Sequence, residues 1–223
     1  MLTPTQACEL ATAVYDAATS TAARGAFSDA GIRRLKGRSA KVLKGTTGYS
    51  VIKRQSVCAM KAVVVRNNTK HLILVFRGTV VTKIGDLLTN ANSALAINES
   101  GQRVHGGFNR LANDIEIDLD KLASIDQNYS TIHVVGHSLG GAVATLISNA
   151  LRSKRPSLPV VLYTFGSPRV GVDLFAQEFT KRIPESMQRR VFHSTDPIPT
   201  VPIFPFAHAP SPGMGIGIDT KKF

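Results

Sequence analysis

The stretch from Thr131 to Leu151, TIHVVGHSLGGAVATLISNAL, constrains the fold of this chain most. Its first residues are largely apolar and partly β-branched without clear alternation, which is typical of a strand buried on both faces of a parallel sheet. Its last dozen residues have the pattern of a helix. Between them lies Gly136-His137-Ser138-Leu139-Gly140, a G-x-S-x-G sequence whose glycines permit a sharp strand-to-helix turn. We therefore predict a parallel α/β sheet that presents Ser138 as an exposed nucleophile.

The chemistry of Ser138 agrees with this geometry. The helix that begins behind it directs its free N–H groups and its positive dipole end at the hydroxyl, where negative charge develops in acyl transfer. By chance, the five-residue pattern occurs in about one chain in ten of this composition, so the prediction depends on the flanking strand and helix. The alternative is a plain glycine-rich turn.

The remaining pattern predicts one α/β domain over residues 1–223. With 223 residues, 43% of them hydrophobic, the chain is long enough for one sizeable core, and no stretch resembles a linker. Thr3-Pro4-Thr5-Gln6 resembles a capping box that begins a helix reaching about Ser20. We further predict a loop over Arg24–Ser50 with a short helix near Ala30–Leu35, followed by a hairpin of Val57–Val65 and His71–Phe76. Beyond it we predict a helix from Asn109, strands at Val160–Phe165 and Arg190–Ser194, a helix through Val172–Phe179, and no regular structure between Pro197 and Gly213.

The charge is strongly basic and unevenly distributed. The net charge is +12, and Met1–Asn98 holds 14 basic and 4 acidic residues. The densest basic stretch, Arg24–Arg54, indicates either a solvated face or a surface that meets an anionic partner. Nucleic acid is a less favoured partner because no interleaved aromatics or nucleic-acid motif accompany the charge.

The N-terminus lacks the basic start and apolar core of a signal peptide, and no run approaches the length of a membrane span. We therefore expect a cytoplasmic protein by default, and export without a cleavable signal stays open. Cys8 and Cys58 fit neither a metal pattern nor a disulfide scaffold, so we expect two buried thiols.

Three more positions are candidates for the chemistry. Thr79 follows the strand ending Phe76-Arg77-Gly78 and is placed to give a backbone N–H to an oxyanion, or else belongs to an ordinary turn. Asp196 follows the strand at Arg190–Ser194, where α/β sheets display functional residues, or else initiates an Asp-Pro turn. His208 completes the chain order Ser, Asp, His of an α/β-hydrolase triad, although a lone histidine in a proline-rich loop is more often structural.

Several motifs together resemble the class 3 lipases, the fungal-lipase-like branch of the α/β-hydrolases. The motifs are Phe76-Arg77-Gly78-Thr79, His105-Gly106-Gly107-Phe108, Gly136-His137-Ser138-Leu139-Gly140-Gly141-Ala142, Thr164-Phe165-Gly166-Ser167-Pro168-Arg169-Val170-Gly171 and Asp196-Pro197-Ile198-Pro199. The resemblance covers nearly the whole chain from about Val57. It implies an α/β-hydrolase fold with a mostly parallel central sheet and helices on both faces, in a small variant with a shortened C-terminal part.

The resemblance also implies functional residues and an activity. Ser138 would be the nucleophile, Asp196 the carboxylate that orients the base, and the backbone N–H groups of Thr79 and Leu139 the oxyanion hole. A lid would cover about residues 80–92. The implied reaction is hydrolysis of acyl-lipid esters by a triacylglycerol lipase or a phospholipase A1, with no metal or cofactor. The charge tilts the expectation toward an anionic phospholipid surface.

The chain departs from the family pattern at two points. Leu87 follows the lid-region aspartate Asp86 where the family usually has tryptophan, and the chain contains no tryptophan. His208, in Phe206-Ala207-His208-Ala209, looks most like a structural histidine of the family. The base is therefore His208 in a shortened fold, or a histidine on a C-terminal piece beyond Phe223, or a histidine of another chain. The alternative function is a catalytically incomplete lipase-like protein that binds a lipid or a protein partner.

Overall fold

The structure is a computed structural model that describes residues 2–19, 46–54, 57–66, 68–78, 94–122, 129–209 and 216–217. The described elements, in chain order, are α1 (Pro4–Thr19), β1 (Thr46–Arg54), β2 (Val57–Arg66), β3 (Thr69–Arg77), β4 (Leu95–Ile97), β5 (Arg103–His105), α2 (Gly106–Leu122), β6 (Thr131–His137), α3 (Leu139–Lys154), β7 (Val160–Phe165), β8 (Gly171–Val172), α4 (Asp173–Arg182), β9 (Gln188–Phe192), β10 (Phe206–Ala207) and β11 (Ile216–Gly217). Short 3-10 helices cover Glu185–Met187 and Ile198–Thr200.

A mostly parallel sheet organises the molecule. Its strand order is β1-β2-β3-β6-β7-β9-β11, and a small second sheet has the order β10-β8-β5-β4. The pairs β1–β2 and β2–β3 are antiparallel, whereas the pairs β3–β6, β6–β7, β7–β9 and β9–β11 are parallel. Because the parallel strands end at one edge, the loops after β3, β6, β7 and β9 share that edge.

Helices cover both faces of the main sheet. Side chains that alternate along each strand point to opposite faces, as β-strand geometry requires. Leu74 and Val134 join a core that includes residues of α2, α3 and α4, whereas Val75 and Val135 join a second core built with α1. The predicted α/β-hydrolase architecture is thus confirmed in its parallel sheet and its two covered faces.

The start of α1 follows the predicted capping box. The backbone N–H of Gln6 donates to Thr3 Oγ1 at 3.2 Å, and the N–H of Thr3 donates to Gln6 Oε1 at 3.0 Å. These reciprocal bonds satisfy N–H groups that have no partner within the helix. On the same face, the Tyr163 hydroxyl donates to the Leu2 carbonyl at 2.6 Å and ties the N-terminal segment to β7.

Other local predictions fared unevenly. The β2–β3 hairpin, the strand and helix around Ser138, β7 and α4 are confirmed. The predicted loop is wrong at Thr46–Ser50, which belong to β1. These residues show no clear period in the sequence, but their pairing with β2 makes them a strand. The proline-rich stretch contains β10 and a 3-10 helix, since its residues between prolines retain free N–H groups.

Cys8 is exposed, which corrects the expectation of a buried thiol, because it lies on the solvent side of α1. The predicted lid over residues 80–92 and the basic residues 24–45 lie outside the described residues. Within the described ranges, none of the helices combines the length and apolar character that a membrane span requires.

Candidate active site

Ser138 lies on a strained turn between β6 and α3. Its backbone has φ 54° and ψ −129°, a conformation that side chains other than glycine rarely adopt. Such strain costs about 1–3 kcal/mol and is concentrated at functional sites. The Ser138 N–H donates to the Phe165 carbonyl at 2.9 Å, so the turn is fixed to the end of β7. This is the strand-turn-helix geometry of a nucleophile elbow.

The end of β3 packs directly against this elbow. A Cβ atom added to Gly78 would lie 3.0 Å from Ser138 Cβ and 3.1 Å from the Leu139 nitrogen. Only glycine leaves room there. Leu139 is the first residue of α3, where a backbone N–H has no acceptor within the helix. The N–H of Leu139 and Gly78 therefore both lie beside Ser138, whereas Thr79, the other predicted oxyanion donor, lies outside the described residues.

Asp196 reaches the same edge through Gly166. A Cβ atom on Gly166 would lie 2.8 Å from Asp196 Oδ2, and Gly166 has φ +55°, so both space and backbone conformation require glycine. Asp196 Oδ1 accepts the N–H of Ile198 at 3.0 Å. Since Ser138 N bonds to Phe165 and Gly166 follows directly, the structure brings Ser138 and Asp196 to one edge of the sheet.

No histidine is bonded to Ser138 in this arrangement. Ser138 is 5% exposed, which corrects the expectation of an exposed nucleophile, because the end of β3 packs against the elbow. Its Oγ is buried without a hydrogen-bond partner in the part of the chain that the structure describes. All six histidines of the chain fall within that part, and each has contacts elsewhere. They are His71 and His133 with each other, His105 with Phe108, His137 with Tyr15, His193 with Thr195, and His208 with Pro199.

His208 in particular is held away from the predicted role. Its Nε2–H donates to the Pro199 carbonyl at 2.5 Å, and the preceding residues form β10, which pairs with β8. Burial lowers the pKa of His208 to about 4, with the positive charges of Arg190 and Arg169 adding to the effect and the Pro199 carbonyl opposing it. The structure thus gives His208 a loop contact and not a bond to Ser138, because its ring nitrogen is already committed to the backbone.

Tyr15 and His137 form a contact beside the elbow that the sequence did not indicate. The Tyr15 hydroxyl lies 2.7 Å from His137 Nδ1, and the two rings meet edge to face. Sequence reasoning missed this pair because Tyr15 is 122 positions away from His137 along the chain. In the sequence, Tyr15 directly follows the apolar residue Val14 in the predicted helix, and that position does not indicate a polar contact.

The described residues contain no group of three or more His, Cys, Asp or Glu side chains that could hold a metal ion. The polar groups around Ser138 are a hydroxyl, a carboxylate and backbone N–H donors. That set fits acyl transfer by a serine nucleophile better than metal binding.

Comparisons with known proteins agree with this geometry. A family model described as "Lipase (class 3)" matches residues 73–206. The chain is 33% identical over 150 residues to "Secreted mono- and diacylglycerol lipase 1" of Fusarium solani, covering 64% of this chain and 43% of that protein. It is 30% identical over 181 residues to "Phospholipase A1-II 4" of Oryza sativa subsp. japonica, covering 69% of this chain and 44% of that protein.

Among solved structures, the triacylglyceride lipase of Rhizomucor miehei is similar with a TM-score of 0.72 and 25% identity, covering 98% of this chain and 81% of that chain. The chain spans less than half the length of the two curated relatives, 43% and 44% respectively.

Proposed function

Because the chain belongs to the class 3 lipase family, we propose that it is a serine carboxylic-ester hydrolase that acts on acyl lipids through an acyl-enzyme intermediate. The observation that carries the proposal is the buried, strained Ser138 with the Leu139 N–H beside it. The names of the relatives, which are lipases and a phospholipase A1, support the substrate class.

The proposed reaction uses each group once. An imidazole takes the Ser138 proton while Oγ forms a bond to the ester carbonyl carbon, and the carbonyl π electrons move onto oxygen. The N–H groups of Leu139 and Thr79 stabilise that oxyanion. The C–O bond to the alcohol then breaks, and the alcohol leaves with the proton. Water loses a proton to the imidazole, attacks the acyl group, and releases the acid as Ser138 regains its proton.

Asp196 is proposed to orient the imidazole and stabilise its charged form. Its Oδ1 is engaged by the Ile198 N–H, and its Oδ2 faces Gly166 on the side of the elbow. An imidazole between Oδ2 and Ser138 Oγ would give a partner to the buried hydroxyl. A carboxylate in that position holds the ring in the tautomer that accepts the serine proton.

The contacts of His208 bear on the source of the imidazole. His208 would have to give up its bond to Pro199 and separate from β10 to reach Ser138. Its contacts therefore favour a histidine beyond Phe223 in a longer protein, or one from another chain. We expect His208→Ala to reduce ester turnover less than threefold beyond its effect on folding. A loss as large as that of Ser138→Ala would make His208 the base, because triad members act as a unit.

The Ser138 hydroxyl, which has no hydrogen-bond partner among the described residues, also favours a second candidate function. Without a base, the same fold would bind a lipid or a protein partner and leave esters intact. Turnover of a short-chain nitrophenyl ester separates the two. We expect the wild-type protein to hydrolyse it and Ser138→Ala to lose that activity while its thermal unfolding stays unchanged. Equal turnover by wild type and Ser138→Ala would reject the acyl-enzyme reaction.

We propose further that the protein meets an anionic lipid surface through the loop between Asp196 and His208. Ile203 and Phe204 in that loop are 72% and 90% exposed, and large apolar side chains with such exposure mark contact surfaces when they are adjacent. The Arg169 guanidinium donates to the Pro202 carbonyl at 3.5 Å, so positive charge lies beside the apolar pair. This loop begins at Asp196 and is therefore on the active-site edge.

Vesicle sedimentation tests this surface. Phe204→Ser should lower binding to phosphatidylcholine vesicles with and without phosphatidylserine, by about tenfold, because one buried phenyl ring contributes about 1.5–3 kcal/mol. Arg169→Gln should weaken binding to the phosphatidylserine vesicles only, and salt should screen its effect. Ile97→Ser is the matched control, since Ile97 is 60% exposed on β4 at the opposite edge of the small sheet. Equal loss in Ile97→Ser and Phe204→Ser would contradict the assignment.

The choice between lipase and phospholipase A1 follows from the headgroup that is accepted. The net charge of +12 favours an anionic phospholipid, so we propose phospholipid hydrolysis over triacylglycerol hydrolysis. Release of fatty acid from phosphatidylglycerol and from a triacylglycerol emulsion distinguishes the two. On location, the relatives named as secreted favour secretion over the cytoplasmic default, and culture fractionation would decide between them.

A further inference from the structure

Tyr15 belongs to α1 but contacts the residues that flank the nucleophile. Its hydroxyl lies 2.7 Å from His137 Nδ1, and the two ring centroids are 5.6 Å apart. The Arg77 guanidinium lies 5.6 Å from the centroid of the Tyr15 ring. The phenol therefore contacts the residue directly before Ser138 and the residue directly before Gly78.

The Tyr15 side chain also meets the end of β3, through the Arg77 guanidinium over its ring. Burial raises the pKa of Tyr15, and the Gly78 N–H and the Arg77 charge oppose that rise. The hydroxyl is hydrogen-bonded to His137 Nδ1 at the elbow. The Tyr15 side chain thus bridges the strand end and the elbow.

The bridge also orients the His137 ring: Nδ1 is bonded to the Tyr15 hydroxyl, and Nε2 lies on the other side of the ring. A Cβ atom on Gly166 would lie 4.0 Å from that Nε2 and 2.8 Å from Asp196 Oδ2, so the ring faces the side on which Asp196 lies. Burial lowers the pKa of His137, and the negative charge of Asp196 opposes this. The bridge thus both links the elbow to the end of β3 and orients His137, and these groups lie next to Ser138.

The bridged residues are neighbours of both proposed oxyanion donors. Gly78 directly precedes Thr79, and His137 lies two positions before Leu139. Gly78 already packs against Ser138 and Leu139 with no room for a methyl group. Oxyanion donors must lie about 2.7–3.1 Å from the charge they stabilise, so a small displacement of the strand end weakens them.

We infer that Tyr15 is a positioning residue: its hydroxyl, bonded to His137 Nδ1, and its ring, against the Arg77 guanidinium, hold the end of β3 in place against the elbow that presents the Leu139 N–H. The inference depends on the proposed ester hydrolysis. Tyr15 does not contact the Ser138 hydroxyl, which has no partner among the described residues. Tyr15 must therefore affect the reaction rate by positioning the neighbouring groups and not by transferring a proton.

Tyr15→Phe removes the bridge and keeps the ring. With a soluble nitrophenyl ester, kcat should fall about tenfold or more and KM should change less than about twofold, because displaced oxyanion donors weaken the transition state more than the bound substrate. Tyr163→Phe is the matched control. Its hydroxyl also ties the N-terminal segment to the sheet, but through the Leu2 carbonyl. Tyr163→Phe should keep kcat, and it should lower the melting temperature by about as much as Tyr15→Phe does.

A double variant checks that Tyr15 acts through His137. Tyr15→Phe combined with His137→Gln should lose no more kcat than the larger of the two single effects, since both remove the same bond. Should Tyr15→Phe fail to fold, His137→Phe removes the bond from the other side and must show the same loss in kcat. Equal kcat in Tyr15→Phe and Tyr163→Phe would overturn the inference about Tyr15 but not the proposed function. The same holds if the kcat losses of Tyr15→Phe and His137→Gln multiply in the double variant. Undiminished turnover in Ser138→Ala would instead overturn the proposed function, and the inference with it.

Discussion

Gly78→Ala probes the packing of the strand end against the nucleophile elbow. The added Cβ would lie 2.8 Å from the His137 carbonyl oxygen, 3.0 Å from Ser138 Cβ and 3.1 Å from the Leu139 nitrogen. Ordinary contacts begin at 3.4 Å, so the strand end and the elbow would have to separate by about 0.6 Å, the difference between 3.4 Å and 2.8 Å. Two of these three neighbours are backbone atoms of the turn, which cannot rotate away.

That displacement is comparable to the tolerance of a catalytic site. A misplacement of about 1 Å costs about 100-fold in rate, and loss of one oxyanion donor costs about 100- to 1000-fold in kcat. We therefore expect Gly78→Ala to lower kcat for a soluble nitrophenyl ester about 100-fold with little change in KM. The assay is steady-state hydrolysis of that ester, with folding checked by thermal unfolding.

Gly101→Ala is the control for a glycine replaced without a collision. Its Cβ would meet nothing within 4 Å, although its φ of +76° makes the substitution strained. It should lower stability by about 1 kcal/mol and leave kcat unchanged. A folded Gly78→Ala protein with kcat within about threefold of wild type would contradict this prediction, because the elbow would then accommodate the added methyl group without loss of catalytic geometry.

Three further predictions concern the carboxylate, a buried histidine and a polar cluster. Asp196→Asn should lower kcat about 1000-fold or more with little change in KM, and a loss under about tenfold would indicate an ordinary Asp-Pro turn. His105 is fully buried, and burial lowers its pKa to about 4 from 6.5. Because the unfolded chain then binds a proton that the folded chain does not, the free energy of unfolding should fall by up to about 3 kcal/mol as the pH drops from 6.5 toward 4. Urea unfolding of His105→Gln should show a flatter pH dependence, and an unchanged slope would contradict this. Gln102 accepts hydrogen bonds from Asn149 at 2.8 Å and Arg182 at 3.2 Å and donates to Glu178 at 2.6 Å. Gln102→Leu should cost about 2–4 kcal/mol in urea unfolding because Asn149 would stay buried without that acceptor, and a cost below about 1 kcal/mol would argue that the cluster rearranges.

The sequence sufficed for the part of the fold whose signals are local and strong. The strand-turn-helix at Thr131–Leu151 was predictable because apolar periodicity changes from strand to helix around two glycines. The same holds for α1, where the capping box formed as its spacing indicates. β1 was missed because Thr46–Arg54 includes lysine, arginine and glycine, and pairing with β2 outweighs its weak propensity.

The candidate site was predictable in its residue types and less so in its assembly. Ser138 and Asp196 follow strands that lie at one sheet edge, and such an edge follows from parallel topology. The chain order Ser, Asp, His also pointed to His208, but the order of residues along the chain does not give the distances between them. In the structure His208 is bonded to Pro199, nine positions earlier in the same loop. The bridge from Tyr15 could not be found in the sequence, since it depends on the angle at which α1 crosses the sheet.

Covalent labelling with a fluorophosphonate ester tests directly whether Ser138 is an activated nucleophile, because the reagent reports a nucleophile beside an oxyanion hole without requiring lipid turnover. We expect a single phosphonyl adduct, located on Ser138 by peptide mass spectrometry, and no adduct in Ser138→Ala. Labelling should be slower in Gly78→Ala and Tyr15→Phe than in wild type. Wild-type protein that is folded and stays unlabelled, or that is labelled at another residue, would contradict Ser138 as the activated nucleophile.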